Sequence, residues 1–169
     1  MVRQTTQIRG QAVTNQVTKL FTIEEANKAL PLVRLITQDL AELSGEVFQR
    51  QQRLSRLASG REITGDDPYS EELMLVQEQL DVQMQRLNEL IDELRELGAE
   101  PKNGPGGRID LVDFPSDMDG RMVYLCWQLG EANVSHWHEL DTGFAGRQVL
   151  PGYEVLPEFS DPEVDASMN

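Results

Sequence analysis

Cysteine, histidine and long apolar runs are all scarce in this sequence. Cys126 is the only cysteine among the 169 residues, so no disulfide can form within the chain. No stretch approaches the roughly 18 consecutive apolar residues of a membrane-spanning helix. Residues 1–20 also lack the apolar core of a signal peptide. We therefore expect a cytoplasmic protein.

Basic side chains are scarce as well. The chain has 15 Lys and Arg against 29 Asp and Glu, which gives a net charge of −14 at pH 7. Binding to nucleic-acid phosphates requires clustered Lys and Arg, and attachment to anionic membranes requires the same positive charge. The composition therefore predicts neither nucleic-acid nor membrane binding.

The length and the distribution of polar residues predict one domain with two unstructured ends. Residues 1–19 are polar and aperiodic and are expected to form a flexible arm. Residues 20–152 are expected to form a single folded domain. Residues 153–169 carry five carboxylates and no basic residue, so we expect a disordered acidic tail whose removal leaves the melting temperature nearly unchanged.

Helical patterns begin at Thr22. Thr22 and Glu25 form a capping-box pattern, in which the hydroxyl and the carboxylate each bond a free backbone N–H. Pro31 has no N–H to donate, so we expect a kink or a break there, with a short capped helix in front of it. From Pro31 to about Ala58 the apolar residues recur every three or four positions, which predicts a long helix.

A second long helix is predicted from Pro68 to about Leu97. Asp67 suits its N-cap, and Gly98 suits its C-terminal stop. Two long helices joined by a modest loop are expected to form an antiparallel hairpin.

The apolar stripes of such a hairpin are too extensive for the two helices to cover each other. We therefore expect a homodimer or a larger homo-oligomer that forms through the helices. A charged residue in place of Leu80 or Leu87 is expected to dissociate the assembly or to unfold it, because an unpaired buried charge costs several kcal/mol.

Beyond the break at "KNGPGG" the apolar period changes to two. The stretches "RIDLVDF", "RMVYLCWQL" and "VSHWHEL" are typical of short strands. Asp119 and Gly120 suit a tight type I′ turn between the first two. The predicted fold class is therefore α+β: a long antiparallel helical hairpin packed with a small antiparallel sheet of about three strands.

The last predicted strand carries both histidines of the chain. His136 and His138 project from one face, because strand side chains alternate. Two neutral imidazoles suit a divalent metal such as zinc, and Cys126 or Asp141 could supply a third ligand. Glu139 starts on the opposite face, and a carboxylate from the start of the first helix is a more remote candidate.

The position of the histidines depends on the turn before them. A three-residue loop that ends on a left-handed Asn133 would place Cys126 opposite His138. A four-residue loop would instead place the histidines beside the core residues Leu125 and Trp127. The alternative to a metal site is a pair of half-exposed strand histidines hydrogen-bonded to their neighbours. The sequence leaves both the register and the role of the histidines open.

Two further residues bear on chemistry. Arg147 follows two glycines in "GFAGR" and is a weak candidate for binding an anion, although a pair with a carboxylate is the expected arrangement. Cys126 lies within a predicted strand with no general base fixed near it by the sequence. No complete catalytic set is visible, so we assign no catalytic residue and favour a protein without enzymatic activity.

Three stretches of the chain resemble a known family. "FTIEEANKALPLV", "VDFPSDMDGRMVYLCWQLGE" and "SHWHELDTGFAGRQ" are similar to the bacterial group catalogued as domain of unknown function 2203, over roughly residues 20–150. The last two stretches are the more specific ones. The resemblance implies a single cytosolic bacterial domain, and it implies no activity and therefore no catalytic residue.

Two hypotheses of function follow from these observations. The leading one is a non-enzymatic interaction or scaffold protein that self-associates through its helices. The alternative is a metal-binding protein or metal-dependent hydrolase centred on His136 and His138. Elemental analysis of untagged protein separates the two.

Overall fold

The computed structural model describes residues 19–59, 68–104 and 107–153. Within these ranges the chain forms two α-helices followed by five strands, with a single 3₁₀ turn, Phe144–Gly146, before the last strand. The elements are α1 Ile23–Ala58, α2 Pro68–Glu96, β1 Glu100–Asn103, β2 Ile109–Met118, β3 Arg121–Gln128, β4 His136–Glu139 and β5 Gln148–Val149. The predicted arm and the predicted acidic tail lie outside these ranges except for Lys19 and Tyr153, and so does Asp67. None of the helices in the described ranges has the length and hydropathy needed to cross a bilayer.

α1 begins where its capping box predicts. The Thr22 hydroxyl accepts the N–H of Glu25 at 3.1 Å, and the Glu25 carboxylate accepts the N–H of Thr22 at 2.9 Å. These two bonds satisfy backbone donors that the start of a helix leaves free.

Pro31 does not break the helix. It lies inside α1, so the prediction of a separate short helix is wrong. Proline removes one intrahelical bond, the one that the Asn27 carbonyl would accept, and costs about 3 kcal/mol. Leu30 and Val33 on either side are buried, at 3% and 0% exposure. Burying two such side chains contributes about 3–6 kcal/mol, so tertiary packing outweighs the local cost.

α2 ends at a glycine, as predicted. Gly98 has a φ of 88°, a left-handed conformation that glycine adopts at little cost. Its N–H donates to the Arg95 carbonyl at 2.9 Å, and the N–H of Ala99 donates to the Leu94 carbonyl at 3.0 Å. This Schellman motif satisfies carbonyls at the helix end and turns the chain into β1.

The two helices run antiparallel, which confirms the helical hairpin. Near the connecting segment the Tyr69 hydroxyl donates to the Leu57 carbonyl. Farther along, the Gln83 side-chain amide donates to the Glu46 carboxylate at 3.1 Å. At the other end of the hairpin, α1 packs on β2 and α2 packs on β1. The sheet therefore covers only the part of the hairpin that is distant from its connecting segment.

The five strands form one antiparallel sheet in chain order, β1-β2-β3-β4-β5. The α+β class is confirmed, but the sheet has five strands rather than about three. β1 escapes prediction because "EPKN" has no apolar residue with which to form an alternating pattern, and β5 escapes it because that strand has only two residues. They pair with the outer edges of β2 and β4.

Asp119 and Gly120 join β2 to β3, as predicted. Their φ angles are 54° and 78°, and the residues directly before and after them pair with each other. Positive φ at both central residues is the requirement of a type I′ turn. The turn sets the register of these two strands, and this register places Asp113 opposite Cys126.

One face of the sheet packs against the helices. The buried side chains of this layer come from β2, β3 and both helices: Val112, Phe114, Leu125, Trp127, Val33, Leu40, Leu90 and Leu94. Because strand side chains alternate, the residues between these core positions point to the other face. That outer face carries Asp113, Cys126 and His138 together with apolar residues such as Leu111.

Candidate metal centre

Three polar side chains are buried on the outer face of the sheet. Asp113 on β2 and Cys126 on β3 are directly paired, and they are 3% and 1% exposed. His138 on β4 is 2% exposed. The segment that follows β4, residues 140–144, lines a cavity together with these three side chains. This segment covers part of a sheet face that the helices leave uncovered.

The pairing of β3 with β4 differs from both predicted registers. Cys126 lies opposite His136, and Tyr124 lies opposite His138. The prediction from a three-residue loop placed Cys126 opposite His138, so the observed register is shifted by two residues. A shift of two keeps both histidines on the predicted face. The prediction from a four-residue loop, which placed them beside core residues, is also wrong.

The shift arises because the connection between these strands has seven residues, 129–135. Its positive φ is at Gly130, 107°, whereas Asn133 is not among the described residues with positive φ. Glu131 stabilises the connection with both its backbone and its side chain. Its carbonyl accepts the Trp127 indole N–H at 3.0 Å, and its carboxylate accepts the N–H of Gln128 at 2.8 Å.

Arg147 ties the segment after β4 to this connection. Its Nη2 donates to both carboxylate oxygens of Glu131 at 2.7 Å and to the Cys126 carbonyl at 3.4 Å. The arginine–carboxylate pair that the sequence favoured is therefore present. Arg147 is engaged within the fold and does not present its guanidinium to an external anion.

Three potential metal ligands converge at the cavity. His138 Nε2 lies 3.2 Å from Asp113 Oδ1, and Cys126 completes a group whose ligand atoms all lie within 4.8 Å of one another. The sequence identified Cys126 and His138 but not Asp113. The sequence feature that could have identified Asp113 is its position between apolar neighbours in "LVDF". A carboxylate buried in such a strand requires a partner.

The other predicted ligands stay outside this cluster. His136 Nδ1 lies 3.0 Å from the Ser135 hydroxyl and 3.7 Å from Glu131 Oε1. Burial lowers the pKa of His136, the positive charge of Arg147 lowers it further, and Glu131 opposes the shift. Asp141 is exposed and lines the same cavity without belonging to the cluster. The two carboxylates at the start of α1 are engaged there, one in a salt bridge and one in the capping box.

The hydrogen bonds of His138 leave its Nε2 facing a negative group. Nδ1 lies 2.7 Å from the backbone carbonyl of Glu139, which can only accept, so Nδ1 carries a hydrogen. Nε2 then either carries a second hydrogen and forms an ion pair with Asp113, or directs a lone pair at the carboxylate. The second arrangement needs either a hydrogen on the Asp113 carboxyl group or a cation between the two groups. A backbone carbonyl bonded to the far nitrogen is also the usual support of a metal-binding histidine.

Cys126 is not arranged as a nucleophile. Burial raises the pKa of its thiol well above the ordinary value, and the negative charge of Asp113 raises it further. Both ring nitrogens of His138 are engaged, so neither is free to accept the thiol proton. In the metal-free chain the sulfur is therefore protonated, and a cation that binds there must release that proton.

The cluster opens into a cavity of about 440 Å³, a volume typical of small-molecule sites. Besides the cluster, residues from β1, β2, β3 and the segment after β4 line it: Lys102, Asn103, Leu111, Tyr124, Leu140, Asp141, Thr142, Gly143 and Phe144. The arrangement places room for a bound molecule directly beside the buried ligand set.

Comparison with known proteins gives a family but no activity. The family model described as uncharacterized conserved protein (DUF2203) matches residues 19–150, which confirms the resemblance in the sequence. The match spans both helices, the five strands and all three residues of the cluster. No curated protein and no solved structure matches the chain.

Proposed function

The chain belongs to the DUF2203 family of uncharacterized conserved proteins, and we propose that this member binds a divalent metal ion between Asp113, Cys126 and His138. The observation that carries the proposal is the meeting of a carboxylate, a thiol and an imidazole in a site whose residues are 1–3% exposed. Buried groups of this kind are protonated, paired or bound to a metal. Of the two histidines predicted as ligands, the proposed centre contains His138 but not His136. Its third ligand is Asp113, which the sequence did not identify.

The spacing of the cluster fits zinc. Zinc binds nitrogen and oxygen at about 2.0–2.1 Å and sulfur at about 2.3 Å. In a tetrahedral site these lengths place neighbouring nitrogen and oxygen ligands about 3.3 Å apart, and sulfur about 3.5 Å from either. His138 Nε2 and Asp113 Oδ1 are 3.2 Å apart. The ligand atoms of all three residues, the Cys126 sulfur included, lie within 4.8 Å of one another, a spacing that one zinc ion can bridge after a small adjustment of the side chains.

The charges of the cluster also support a divalent ion. A thiolate at Cys126 and a carboxylate at Asp113 carry two negative charges, and a neutral His138 adds none. A divalent ion therefore makes the centre electrically neutral, whereas an uncompensated charge buried at this depth is costly. The mixed sulfur, nitrogen and oxygen ligands suit zinc better than calcium or magnesium, which prefer oxygen alone.

Three protein ligands are the number typical of catalytic zinc sites, whose fourth position stays open to water or substrate. All three cluster residues line the cavity, so a ligand that completes the coordination would come from the cavity. Zinc supplies Lewis acidity and lowers the pKa of a bound water to about 7. We extend the proposal to metal-dependent hydrolysis of a small molecule. Asp141, which lines the same cavity outside the ligand set, would serve as a proton acceptor.

Elemental analysis of protein purified without an affinity tag tests the centre. We expect stoichiometric zinc in the wild-type chain and its loss in His138→Gln and Asp113→Asn. His136→Gln is the matched control, because His136 lies two residues away on the same strand and outside the cluster. Cobalt-substituted protein should show a thiolate-to-cobalt charge-transfer band that Cys126→Ser removes.

Two results would contradict the metal centre. One is wild-type protein that neither contains nor takes up a stoichiometric divalent ion. The other is equal metal loss in His136→Gln and His138→Gln. A urea denaturation curve for each variant shows whether the chain is folded, so loss of metal is separated from loss of structure.

Self-association through the helices is a second proposed function, compatible with the first. It is supported by large apolar side chains on the hairpin that are about half to two-thirds exposed: Leu32, Leu35, Phe48, Met74, Leu75 and Val82. We propose a second copy of this chain as the partner, because the exposed apolar surface of one hairpin can be buried against that of another.

Light scattering at micromolar concentration tests the assembly, with an expected mass of at least twice 19.1 kDa. Leu80 and Leu87 are 5% and 8% exposed, so a charge at either would unfold the chain rather than separate two copies. Leu35→Glu and Val82→Glu change positions that are 64% and 65% exposed. We expect these two variants to be folded monomers. A monomeric wild-type chain would contradict the proposal.

A further inference from the structure

Lys102 is the lysine that lines the cavity beside the cluster. We infer that the cavity binds a small organic anion, a carboxylate or a phosphate ester, whose charged group is bound by Lys102. The inference rests on the proposed metal centre, since the ligand would lie between Lys102 and the metal.

The register of β1 places Lys102 on the outer face of the sheet. Lys102 pairs with Leu111, and Glu100 pairs with Asp113, and side chains of directly paired residues share a face. The Lys102 ammonium lies 5.9 Å from the centre of the Tyr124 ring, which in turn lies 5.6 Å from the His138 ring. One continuous surface therefore leads from Lys102 to the cluster.

Lys102 carries a positive charge that no carboxylate neutralises within the described ranges. Its neighbour on β1, Glu100, is already paired with Arg95 at 3.5 Å. Acidic side chains greatly outnumber basic ones in this chain, whose net charge is −14, so a lysine without a carboxylate partner is unusual here. Lysine donates up to three hydrogen bonds and suits both carboxylate and phosphate oxygens.

The remaining charges of the cavity do not oppose an anion at this end. The cluster is neutral once a divalent ion has displaced the Cys126 proton. Asp141 follows β4, and β4 lies three strand spacings from β1, about 14 Å. Lys102 is therefore carried by the first strand of the sheet and Asp141 by the segment after the fourth strand.

The other lining residues indicate an organic molecule rather than a bare inorganic ion. Leu111, Leu140 and Phe144 contribute apolar surface, and Asn103 contributes an amide next to Lys102. A volume of about 440 Å³ exceeds what a phosphate ion alone would fill and is ordinary for a small organic ligand.

Isothermal titration of the full chain tests the inference, after its metal content has been measured. The probes are benzoate and phenyl phosphate at low ionic strength, titrated separately so that the two anion chemistries are distinguished. We expect one of them to bind with a stoichiometry of one, and Lys102→Gln to weaken that binding at least about tenfold. Lys28→Gln is the control, because Lys28 is paired with Glu24 on α1.

The possible outcomes distinguish a failure of the anion inference from a failure of the metal centre on which it rests. Metal-loaded protein that binds neither probe overturns the anion inference and leaves the metal centre intact. Equal binding by Lys102→Gln and the wild-type chain overturns the role of Lys102. A chain that takes up no metal overturns the centre and this inference together. An unchanged metal content in Lys102→Gln excludes an indirect effect through the cluster.

Discussion

Replacing Glu131 with glutamine should destabilise the protein far more than replacing a carboxylate on its surface. The Glu131 carboxylate accepts two hydrogen bonds from Arg147 and one from the backbone N–H of Gln128. The side chains of Arg147 and Glu131 are 10% and 25% exposed. Arg147 Nε is buried and has no hydrogen-bond partner among the described residues. The Glu131 carboxylate is therefore the group that compensates the positive charge of Arg147.

The expected loss follows from the burial of the pair. Removing one partner of a fully buried ion pair costs about 3–5 kcal/mol, because the other charge is left uncompensated. Glu131 is a quarter exposed, so water compensates part of the loss, and we expect about 2–3 kcal/mol for Glu131→Gln. The glutamine carbonyl can still accept the N–H of Gln128. In a domain of this size the melting temperature should fall by about 5–10 °C.

Urea denaturation of the wild-type and variant chains measures this loss. The control is Glu139→Gln, whose partner Arg121 is 63% exposed. Exposed pairs contribute little, so the control should change the free energy of unfolding by no more than about 0.5 kcal/mol. Equal effects of the two substitutions would refute the argument, because they would show that burial of the Arg147 pair carries no extra free energy.

Three further predictions concern the metal, the core and a helix end. Zinc at a hundredfold excess over its dissociation constant should stabilise the chain by about 2.7 kcal/mol, so calorimetry should give a melting temperature about 5–10 °C higher than in EDTA; identical values would contradict the centre. Leu94→Ala, at a position with 0% exposure, should cost about 3–4 kcal/mol in urea denaturation, whereas Leu20→Ala, at a position that is 44% exposed and precedes α1, should cost less than about 1 kcal/mol. Gly98→Ala should lower the melting temperature more than Gly120→Ala, because both have positive φ but an added Cβ at Gly98 would lie 3.1 Å from the Phe21 ring and one at Gly120 would meet no other described residue. Equal effects of the two glycine substitutions would show that this contact is relieved without cost.

The helix ends and one tight turn were predictable because their causes are local. The capping box at Thr22 and Glu25 and the left-handed stop at Gly98 each satisfy backbone groups within a few residues. The turn at Asp119 and Gly120 also has a local cause, because it needs a positive φ at these two residues only. Each signal depends on neighbours in the chain, so it keeps its meaning without knowledge of the fold.

The errors in the fold have tertiary causes. Pro31 has an unfavourable local effect, but burial of Leu30 and Val33 stabilises the helix around it. β1 and β5 have almost no signal of their own and form because the edges of β2 and β4 offer them hydrogen bonds. Neither effect can be read from a window of a few residues.

The sequence by itself determined the two amphipathic helices, the strand character of the C-terminal part and the shared face of His136 and His138, whereas the tertiary structure decided that this face is the one that carries Cys126. The two histidines share a face because alternation along a strand is a property of the backbone. Which histidine joins the cysteine, and that Asp113 joins them, was decided only by the tertiary structure. The seven-residue connection held by Glu131 moves β4 by two residues, and Asp113 reaches the site through pairing across three strands. Such pairing depends on contacts between distant parts of the chain, which no local pattern records.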